Sequence, residues 1–343
     1  MITPAIRFGM NNPIRRIAET PEWFKLADEL GLDLIGLGDT PIQMHDIFVQ
    51  MALAAQHTKR AMLGPWVTLP VVRHPLVAAG SIATIQELSG GRAFFAIGPG
   101  DVTAYEIGEQ GATMREVEEY TLAVKGMCAG QTVRWHGKEM KLSWPKLPAP
   151  VPVWLAGDGP KNLELAGRIA DGVIAGNAAT VELVQWAQQH VRAGAQQAGR
   201  DPSQIEIWYM SRVVLAPTVK EGIELCSFYL ASYANVRFRH AMRNKGVPVN
   251  DDIAERIRGF RGEYRGDLSH RYEIDHNVRL LKKYGLIDWL AAQFLIAGPP
   301  DYCVDRLRQL VKAGAANVYV PLLLPDPLRR TRDLAQQVYK AFR

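Results

Sequence analysis

The fold is decided by a stretch that contains one full unit of the chain's repeating pattern, VPVWLAGDGPKNLELAGRIADGVIAG (residues 151–176). Val151 to Ala156 is an apolar run, which is typical of a strand buried on both faces. Pro160 to Ala170 has its apolar residues at helical spacing, with Pro160 in the first turn. Gly172 to Ala175 is a second apolar strand. A strand, a helix and a strand in this order predict parallel strands joined by a crossover helix.

The same unit recurs along the chain, which has 343 residues. Eight segments have the character of buried strands, and they begin near residues 5, 32, 61, 93, 151, 172, 205 and 317. Helical patterns lie between most of them. An α/β chain of this length with eight such units favours a closed (β/α)8 TIM barrel over an open, doubly wound sheet.

Two segments interrupt the alternation. TVRWHGKEMKLSW (residues 132–144) alternates in the manner of a β-hairpin, with His136 and Gly137 as its turn. Residues 218–293 contain several helices before the last strand. We interpret both as insertions into a single domain that covers residues 1–343.

The composition is that of a globular protein, with 48% hydrophobic and 22% charged residues. Cys128, Cys226 and Cys303 lie far apart and form no CxxC pair, which argues against a disulfide scaffold and a zinc site and suits a reducing cytoplasm. The N-terminus lacks the pattern of a signal peptide. No apolar run approaches the ~18 residues that a membrane span needs. We therefore expect a cytoplasmic protein with no metal site and no membrane partner.

The net charge of +5 is concentrated in one segment, because Arg237 to Lys283 contains 12 Lys or Arg against 7 Asp or Glu. This segment is either a solvated surface or a region that attracts an anionic ligand. It has no nucleic-acid-binding motif, so we expect no nucleic acid partner. The helical insertion also carries aromatic residues that either line an apolar pocket or form its own core, namely Phe228, Tyr229, Tyr233, Phe238 and Phe260.

In a TIM barrel the active site lies at the C-terminal ends of the strands. Asp39 and Thr40 follow the second predicted strand and bring a carboxylate and a hydroxyl to this rim, unless they only form a turn and a helix cap. GPWVTLP (residues 64–70) follows the third strand. It is either a bulge against which a flat ring can rest or a plain strand end.

Two glycine-containing stretches follow later strands. Gly98 and Gly100 permit close approach of a ligand to the backbone, and Asp101 is a possible acid or polar anchor. Gly157 and Gly159 precede a helix whose N-terminal amides, with Lys161 nearby, favour an anion such as a phosphate. The alternative for the second stretch is an ordinary capped helix.

Together these stretches resemble the bacterial-luciferase-like superfamily of flavin-dependent oxidoreductases, and most nearly its coenzyme F420-dependent branch that includes methylenetetrahydromethanopterin reductase. The resemblance extends over nearly the whole chain. Besides residues 151–176, it rests on GDT (residues 38–40), LGPWVTLPVVRHP (residues 63–75), ATIQELSGGRAFFAIGPGD (residues 83–101) and AGPPDYCVDRLRQLVKAGAANVYV (residues 297–320).

The resemblance implies a TIM barrel with a deazaflavin, F420, or alternatively FMN, at the C-terminal mouth. It implies a non-prolyl cis peptide between Trp66 and Val67 that supports the ring. It implies Asp101 as a proton donor and Asp39 as a second catalytic candidate. The residues that it implies in cofactor binding are Asp39, Thr40, Trp66, Val67, Thr68, Gly98, Gly100, Gly157, Gly159, Lys161 and Gly176.

Two positions depart from the family pattern. Leu69 replaces an asparagine that is frequent in the bulge, and this change removes a polar group near the ring. Asn11 stands where reductases of this branch can carry an acid, and an amide cannot donate a proton as a carboxylic acid does.

The first expectation is therefore an oxidoreductase that transfers hydride between F420 and a small organic substrate. The alternative is an FMN-dependent monooxygenase that uses O2 and receives reduced flavin from a partner reductase. A second alternative is a barrel that binds flavin without catalysis. Members of this family are commonly dimers or larger, and we expect a homodimer or a higher homo-oligomer here.

Overall fold

The computed structural model describes residues 6–12, 14, 16–100, 103–104, 107–176, 178–238, 246–266, 275–322 and 324–343. The strands are β1 (Arg7–Asn11), β2 (Leu34–Leu37), β3 (Met62–Pro65), β4 (Phe95–Ile97), β5 (Val133–Trp135), β6 (Lys138–Met140), β7 (Val153–Gly157), β8 (Gly172–Ala175), β9 (Glu206–Met210), β10 (Arg212–Leu215), β11 (Leu295–Gly298) and β12 (Asn317–Val320). The helices are α1 (Thr20–Glu29), α2 (Ile47–His57), α3 (Pro75–Leu88), α4 (Met114–Cys128), α5 (Pro160–Ile169), α6 (Val181–Gln197), α7 (Val219–Arg237), α8 (Asp251–Glu263), α9 (His276–Lys283), α10 (Ile287–Phe294), α11 (Pro300–Lys312) and α12 (Pro327–Gln337).

Eight parallel strands form one sheet in the order β3-β2-β1-β12-β9-β8-β7-β4. The two outer strands of this order meet through parallel bridges that pair Leu63 with Ala93 and Thr68 with Ile97. The sheet therefore closes on itself, and the predicted (β/α)8 TIM barrel is confirmed.

Each of the eight predicted strands is present and begins within two residues of its expected position. The apolar pattern of the third predicts a strand from Ala61 to Leu69, but the chain leaves the ladder after Pro65. The seventh is broken at Ser211, whose N–H donates to the Tyr319 carbonyl at 2.8 Å and whose hydroxyl donates to the Ala178 carbonyl. Beyond this break, β10 pairs with β11 instead of a barrel strand.

The two interrupting segments have the predicted kinds of structure. β5 and β6 form an antiparallel hairpin. Its turn residues, His136 and Gly137, have φ values of 46° and 81°, as a tight two-residue turn between twisted strands requires. Helices α7 to α10 occupy the second segment. The assignment of both to one domain stays a prediction.

The interior of the barrel is filled by large rings. Phe94, Trp154, Trp208 and Tyr319 are each no more than 1% exposed and form an inner core with smaller apolar residues. Glycines on the strands make room for them. A Cβ atom at Gly172 would lie 2.6 Å from Nε1 of Trp154, and others at Gly9, Gly36 and Gly64 would also meet ring atoms. The barrel interior is thus filled by side chains, which form a packed floor beneath the C-terminal mouth.

Candidate active site

The segment that follows β3 leaves the ladder after Pro65 and pairs with β4 again at Thr68, which fits the bulge and not the plain strand end of the two alternatives. The peptide bond between Trp66 and Val67 is cis, as the resemblance implies. The Thr68 N–H donates to the Ala96 carbonyl at 3.0 Å, and the Gly98 N–H donates to the Thr68 carbonyl at 2.9 Å. The bulge is therefore held against the end of β4 at the mouth of the barrel.

Asp39 lies at the end of β2 and is only 4% exposed. Its carboxylate accepts a hydrogen bond from the Thr68 hydroxyl at 2.6 Å and forms an ion pair with Arg73. Arg73 also lies 3.3 Å from the carboxylate of Asp46. Burial acts to lower the pKa of Arg73, but the hydrogen bond and charge of Asp39 outweigh it and raise the pKa. The sequence prediction missed Arg73, although this residue lies within a stretch that carries the resemblance.

Thr40 and Thr103 lie together beside Asp39, with their hydroxyl oxygens 3.1 Å apart. Thr103 is 8% exposed and connects the ends of β2 and β4. Asp101, the predicted proton donor, lies outside the described residues.

Gly98 and Gly100 lie close to the bulge. A Cβ at Gly98 would be 2.9 Å from Cγ2 of Val67, and a Cβ at Gly100 would be 2.5 Å from Cδ1 of Leu69. Gly100 has a φ of +80°, which favours glycine. Leu69 is 3% exposed, so the residue that departs from the family pattern packs beneath this glycine-containing turn.

The glycines of the predicted anion cradle lie at the N-terminus of α5. Gly159 occupies the N-cap position and gives the helix no side-chain cap, so the first amides have no side-chain acceptor there. No atom lies within 4 Å of a Cβ built on Gly159, whereas one built on Gly157 would overlap Asn162. Lys161 is exposed in the first turn. Open space, free amides and a nearby cation fit a phosphate group.

Asp158, between the two glycines of the cradle, turns its carboxylate away to Arg237 of α7. Its Oδ2 lies 2.6 Å from Nη1 of Arg237, which is 2% exposed. A Cβ at Gly176 would overlap Oδ1 of Asp158, so this glycine makes room for the carboxylate. Burial acts to lower the pKa of Arg237, but the negative charge of Asp158 outweighs it and raises the pKa. Sequence reasoning missed this ion pair.

A family model described as luciferase-like monooxygenase matches residues 1–317. The chain belongs to this family.

Among curated relatives of this luciferase-like chain, a 5,10-methylenetetrahydromethanopterin reductase from Methanolobus tindarius is 32% identical over 92% of this chain and 93% of its own length. The solved structure of the coenzyme F420-dependent tetrahydromethanopterin reductase from Methanopyrus kandleri is similar over 99% of this chain and all of that chain, with a TM-score of 0.75 and 24% identity. The solved structure of an F420-dependent secondary alcohol dehydrogenase in complex with an F420–acetone adduct is similar over 99% of this chain and 99% of that chain, with a TM-score of 0.74 and 17% identity.

Asn11, the second departure from the family pattern, joins the ends of β1 and β12 in this luciferase-like barrel. Its Nδ2 donates to the Leu322 carbonyl at 2.9 Å, and its Oδ1 accepts from the N–H of the same residue. Both halves of the amide are engaged with the backbone, and a carboxylate lacks the N–H that one of these bonds requires. Asn11 is therefore a structural residue.

The aromatic residues of the insertion divide into two groups. Phe238 and Phe260 are no more than 1% exposed and belong to the core of the helical segment. Tyr229 belongs to the same core, and Phe228 and Tyr233 pack against it, but Tyr229 also contacts Arg212 and Tyr233 also contacts Arg237. Several cations of the basic segment pair with acids, as Lys283 does with Glu263 at 2.5 Å.

Within the described part of this luciferase-like chain, no three His, Cys, Asp or Glu residues gather where they would hold a metal ion. The described helices include none with the length and apolar character to cross a bilayer. The three cysteines are buried and unpaired.

Proposed function

We propose that this protein is an oxidoreductase that uses coenzyme F420 to transfer hydride between the cofactor and a small organic substrate. The observation that carries the proposal is the uncapped N-terminus of α5, with open space at Gly159, at the same mouth as the bulge at Trp66 and Val67. A phosphate at the helix and a flat ring at the bulge are the two parts that such a cofactor presents. The names of the similar reductase and alcohol dehydrogenase, both F420-dependent, support the same choice.

The residues fit such a cofactor. Gly157, Gly159 and Lys161 would hold the phosphate, since they combine backbone amides, open space and a positive charge. The cofactor, when bound, supplies a deazaflavin that carries a hydride. The residues proposed to bind the ring are Asp39, Thr40, Trp66, Val67, Thr68, Gly98 and Gly100. Gly176 contributes to the cofactor site because its lack of a side chain leaves space for the carboxylate of Asp158.

We propose distinct roles for the two acids. The carboxylate of Asp39 is held by Thr68 and Arg73, so it fixes a negative charge at the polar edge of the ring site. Asp101 follows Gly100 directly in the sequence, and we assign it the exchange of the substrate's proton. In Asp101→Asn we expect kcat to fall at least 100-fold with an unchanged Kd for F420, because an amide cannot exchange that proton. Unchanged turnover would remove the acid from this role.

An FMN-dependent monooxygenase is the second candidate, because the matching family model is described as luciferase-like monooxygenase. A separate reductase would then deliver reduced flavin. An anaerobic titration of the apoprotein with F420 and with FMN, followed by absorbance and fluorescence, distinguishes the two. Tight binding of F420 alone supports hydride transfer, whereas tight binding of FMN alone supports the monooxygenase. Binding without turnover of any substrate supports a non-catalytic barrel.

We further propose that the protein is a homodimer or a higher homo-oligomer and acts in the cytoplasm. Ile42 is 63% exposed, Val49 on α2 55% and Val77 on α3 57%, and α2 packs against α3. Apolar side chains exposed on adjacent elements are typical of a face that another copy covers. Light scattering coupled to size-exclusion chromatography measures the mass, and Val49→Glu should shift it towards the monomer.

A further inference from the structure

Arg212 lies at the mouth of the barrel, at the start of β10 and directly beyond the end of β9. Ser211, at the break between the two strands, is held by the carbonyls of Tyr319 and Ala178, so Arg212 follows directly at the rim of the barrel. Met210 contacts the inner core. Arg212 is two residues beyond Met210, so it lies past the inner core at the end of the barrel strand.

The guanidinium of Arg212 lies over the ring of Tyr229 on α7, with Cζ 4.2 Å from the ring centroid. Its Nε and Nη1 atoms are shielded from solvent and donate to no acceptor among the described residues. Burial lowers the pKa of Arg212, but a guanidinium keeps its charge in proteins. A cation with two unused donors is thus fixed beside the site.

Arg237 provides the comparison, since its guanidinium is also shielded from solvent and it lies on the same helix that covers Arg212. Arg237 has the carboxylate of Asp158 at 2.6 Å, whereas no ion pair joins Arg212 to any described acid. The titratable groups that act most strongly on Arg212 are Tyr229, Cys226 and Tyr233. Thiols and phenols with ordinary or raised pKa values are neutral at pH 7, and burial raises that of Cys226 to about 12. Nothing described on α7 or β10 therefore balances the charge of Arg212.

A buried charge without a counter-charge is unfavourable, and a guanidinium fork matches carboxylate and phosphate oxygens. We propose that Arg212 binds the oxyanion, a carboxylate or a phosphate, of a ligand at the mouth of the barrel. The ligand is either the substrate, which would then be an acid or a phosphate ester, or the acidic tail of F420. The second source rests on the proposed function, while the oxyanion site itself does not.

The test compares the wild type with Arg212→Met, which keeps the length of the side chain and removes its charge, and with Arg212→Lys, which keeps the charge. Arg192, exposed on α6, provides the matched control Arg192→Met. Thermal unfolding first establishes that each variant is folded. If Arg212→Met does not fold, Arg212→Gln takes its place.

The first arm titrates succinate and inorganic phosphate into each protein and follows tryptophan fluorescence. For an oxyanion site, Arg212→Met weakens binding of one of these anions at least 10-fold, Arg212→Lys less, and Arg192→Met less than twofold. Equal binding by the wild type and Arg212→Met overturns the site for free anions, and the proposal then depends on the second arm alone. This arm uses no cofactor, so it gives a result even if the protein does not bind F420.

The second arm titrates F420 and its deazaflavin core, which lacks the phosphate and the acidic tail. If Arg212 binds the cofactor tail, Arg212→Met weakens the binding of F420 at least 10-fold and leaves the binding of the deazaflavin core unchanged. If Arg212 binds the substrate, both cofactor forms are unchanged while the small anions bind less tightly. No effect in either arm overturns the proposal. Failure of the wild type to bind F420 counts against the proposed function only.

Discussion

The indole of Trp66 lies flat against the phenol ring of Tyr319, with the ring centroids 3.7 Å apart and the planes 10° from parallel. Trp66 belongs to the bulge after β3, whereas Tyr319 comes from β12 on another part of the barrel wall. The hydroxyl of Tyr319 donates to the Gly36 carbonyl at 3.1 Å. One buried ring therefore positions both the bulge and the end of β2, on which the proposed ring site is built.

Truncation of this ring should cost both stability and cofactor affinity. We expect Tyr319→Ala to lower the free energy of unfolding by about 3–5 kcal/mol, as for other large buried rings. Tyr319→Phe keeps the stack on Trp66 and loses one hydrogen bond, so it should cost about 1 kcal/mol. Urea denaturation measures the stabilities and the anaerobic titration measures the cofactor affinity. Equal affinities in the two variants would contradict a supporting role for the ring.

Gly36→Ala should disturb the same contact from the other side. The added Cβ would lie 2.7 Å from Cβ of Trp66 and 2.9 Å from the Tyr319 ring, so the stack has to move. We expect a loss of about 1–3 kcal/mol, as for overpacked cores. Gly262→Ala is the control, because no atom lies within 4 Å of its Cβ on α8 and alanine favours helix. A Gly36→Ala protein as stable as this control would argue against tight packing here.

Asp39→Asn should be far more damaging than Asp46→Asn. Both acids pair with Arg73, but the side chain of Asp39 is 2% exposed and that of Asp46 is 53% exposed. Removal of the buried charge leaves Arg73 with only the exposed carboxylate of Asp46 at 3.3 Å, which we expect to cost about 3 kcal/mol. The exposed pair should contribute less than about 1 kcal/mol, and an asparagine still caps α2. Chemical denaturation of the two variants measures the difference, and similar losses would contradict this account.

The lowered pKa of Asp28 should make the free energy of unfolding depend on pH in the acidic range. Burial acts to raise its pKa, but its carboxylate accepts the N–H groups of Lys59, Arg60 and Ala61, and these bonds lower the pKa below the value of 3.8 in a free side chain. The stabilisation is therefore complete above about pH 4 and is lost as the pH falls through the folded-state pKa.

Asp28→Asn should accordingly lower the free energy of unfolding by about 1–2 kcal/mol at pH 7, since bonds to a charged acceptor are lost. The difference from the wild type should shrink in denaturation curves recorded from pH 5 to pH 3. The control Asp305→Asn, at a side chain that is 69% exposed, should show a small difference at every pH. A gap for Asp28→Asn that stays constant with pH would contradict the account.

Removal of the charge of Arg237, on α7, and of Arg212, which α7 covers, should have different effects on the stability of the protein. Arg237→Met leaves Asp158 without its partner, and we expect a loss of about 3 kcal/mol. Arg212→Met removes a cation that has no acidic partner among the described residues, so stability without ligand should be unchanged or higher. Thermal and chemical unfolding of the apoprotein compare the two. A large loss for Arg212→Met would mean that its contact with Tyr229 outweighs the cost of burial.

The sequence predicts the barrel well because the signals for it are local. A strand buried on both faces is an apolar run, as in β8, and proline or glycine marks the adjoining helix, as in α5. The break at Ser211 escaped prediction because the apolar residues before Ser211 and after Arg212 together have the pattern of one strand. No single-sequence pattern separates such a pair of strands.

The site was predicted less completely, because its charged pairs join distant parts of the chain. Asp39 and the cradle glycines follow strands and stand out in the sequence, whereas their partners do not. Arg237 looks like any other cation of a basic segment until α7 brings it to Asp158. Arg212 follows an apolar strand without any motif, and only the covering helix buries it.

The walls of the mouth come from two separate parts of the chain. The floor and the cofactor cradle are formed by the barrel strands and their short connections, whereas the wall around Arg212 includes α7 from residues 218–293. The inner rings of the floor come from the barrel strands, and Arg237 is the residue by which α7 also reaches the cradle, through Asp158. Substitutions on the side of α7 that faces Arg212 can therefore change which molecules fit the mouth without changing the residues that pack the barrel floor.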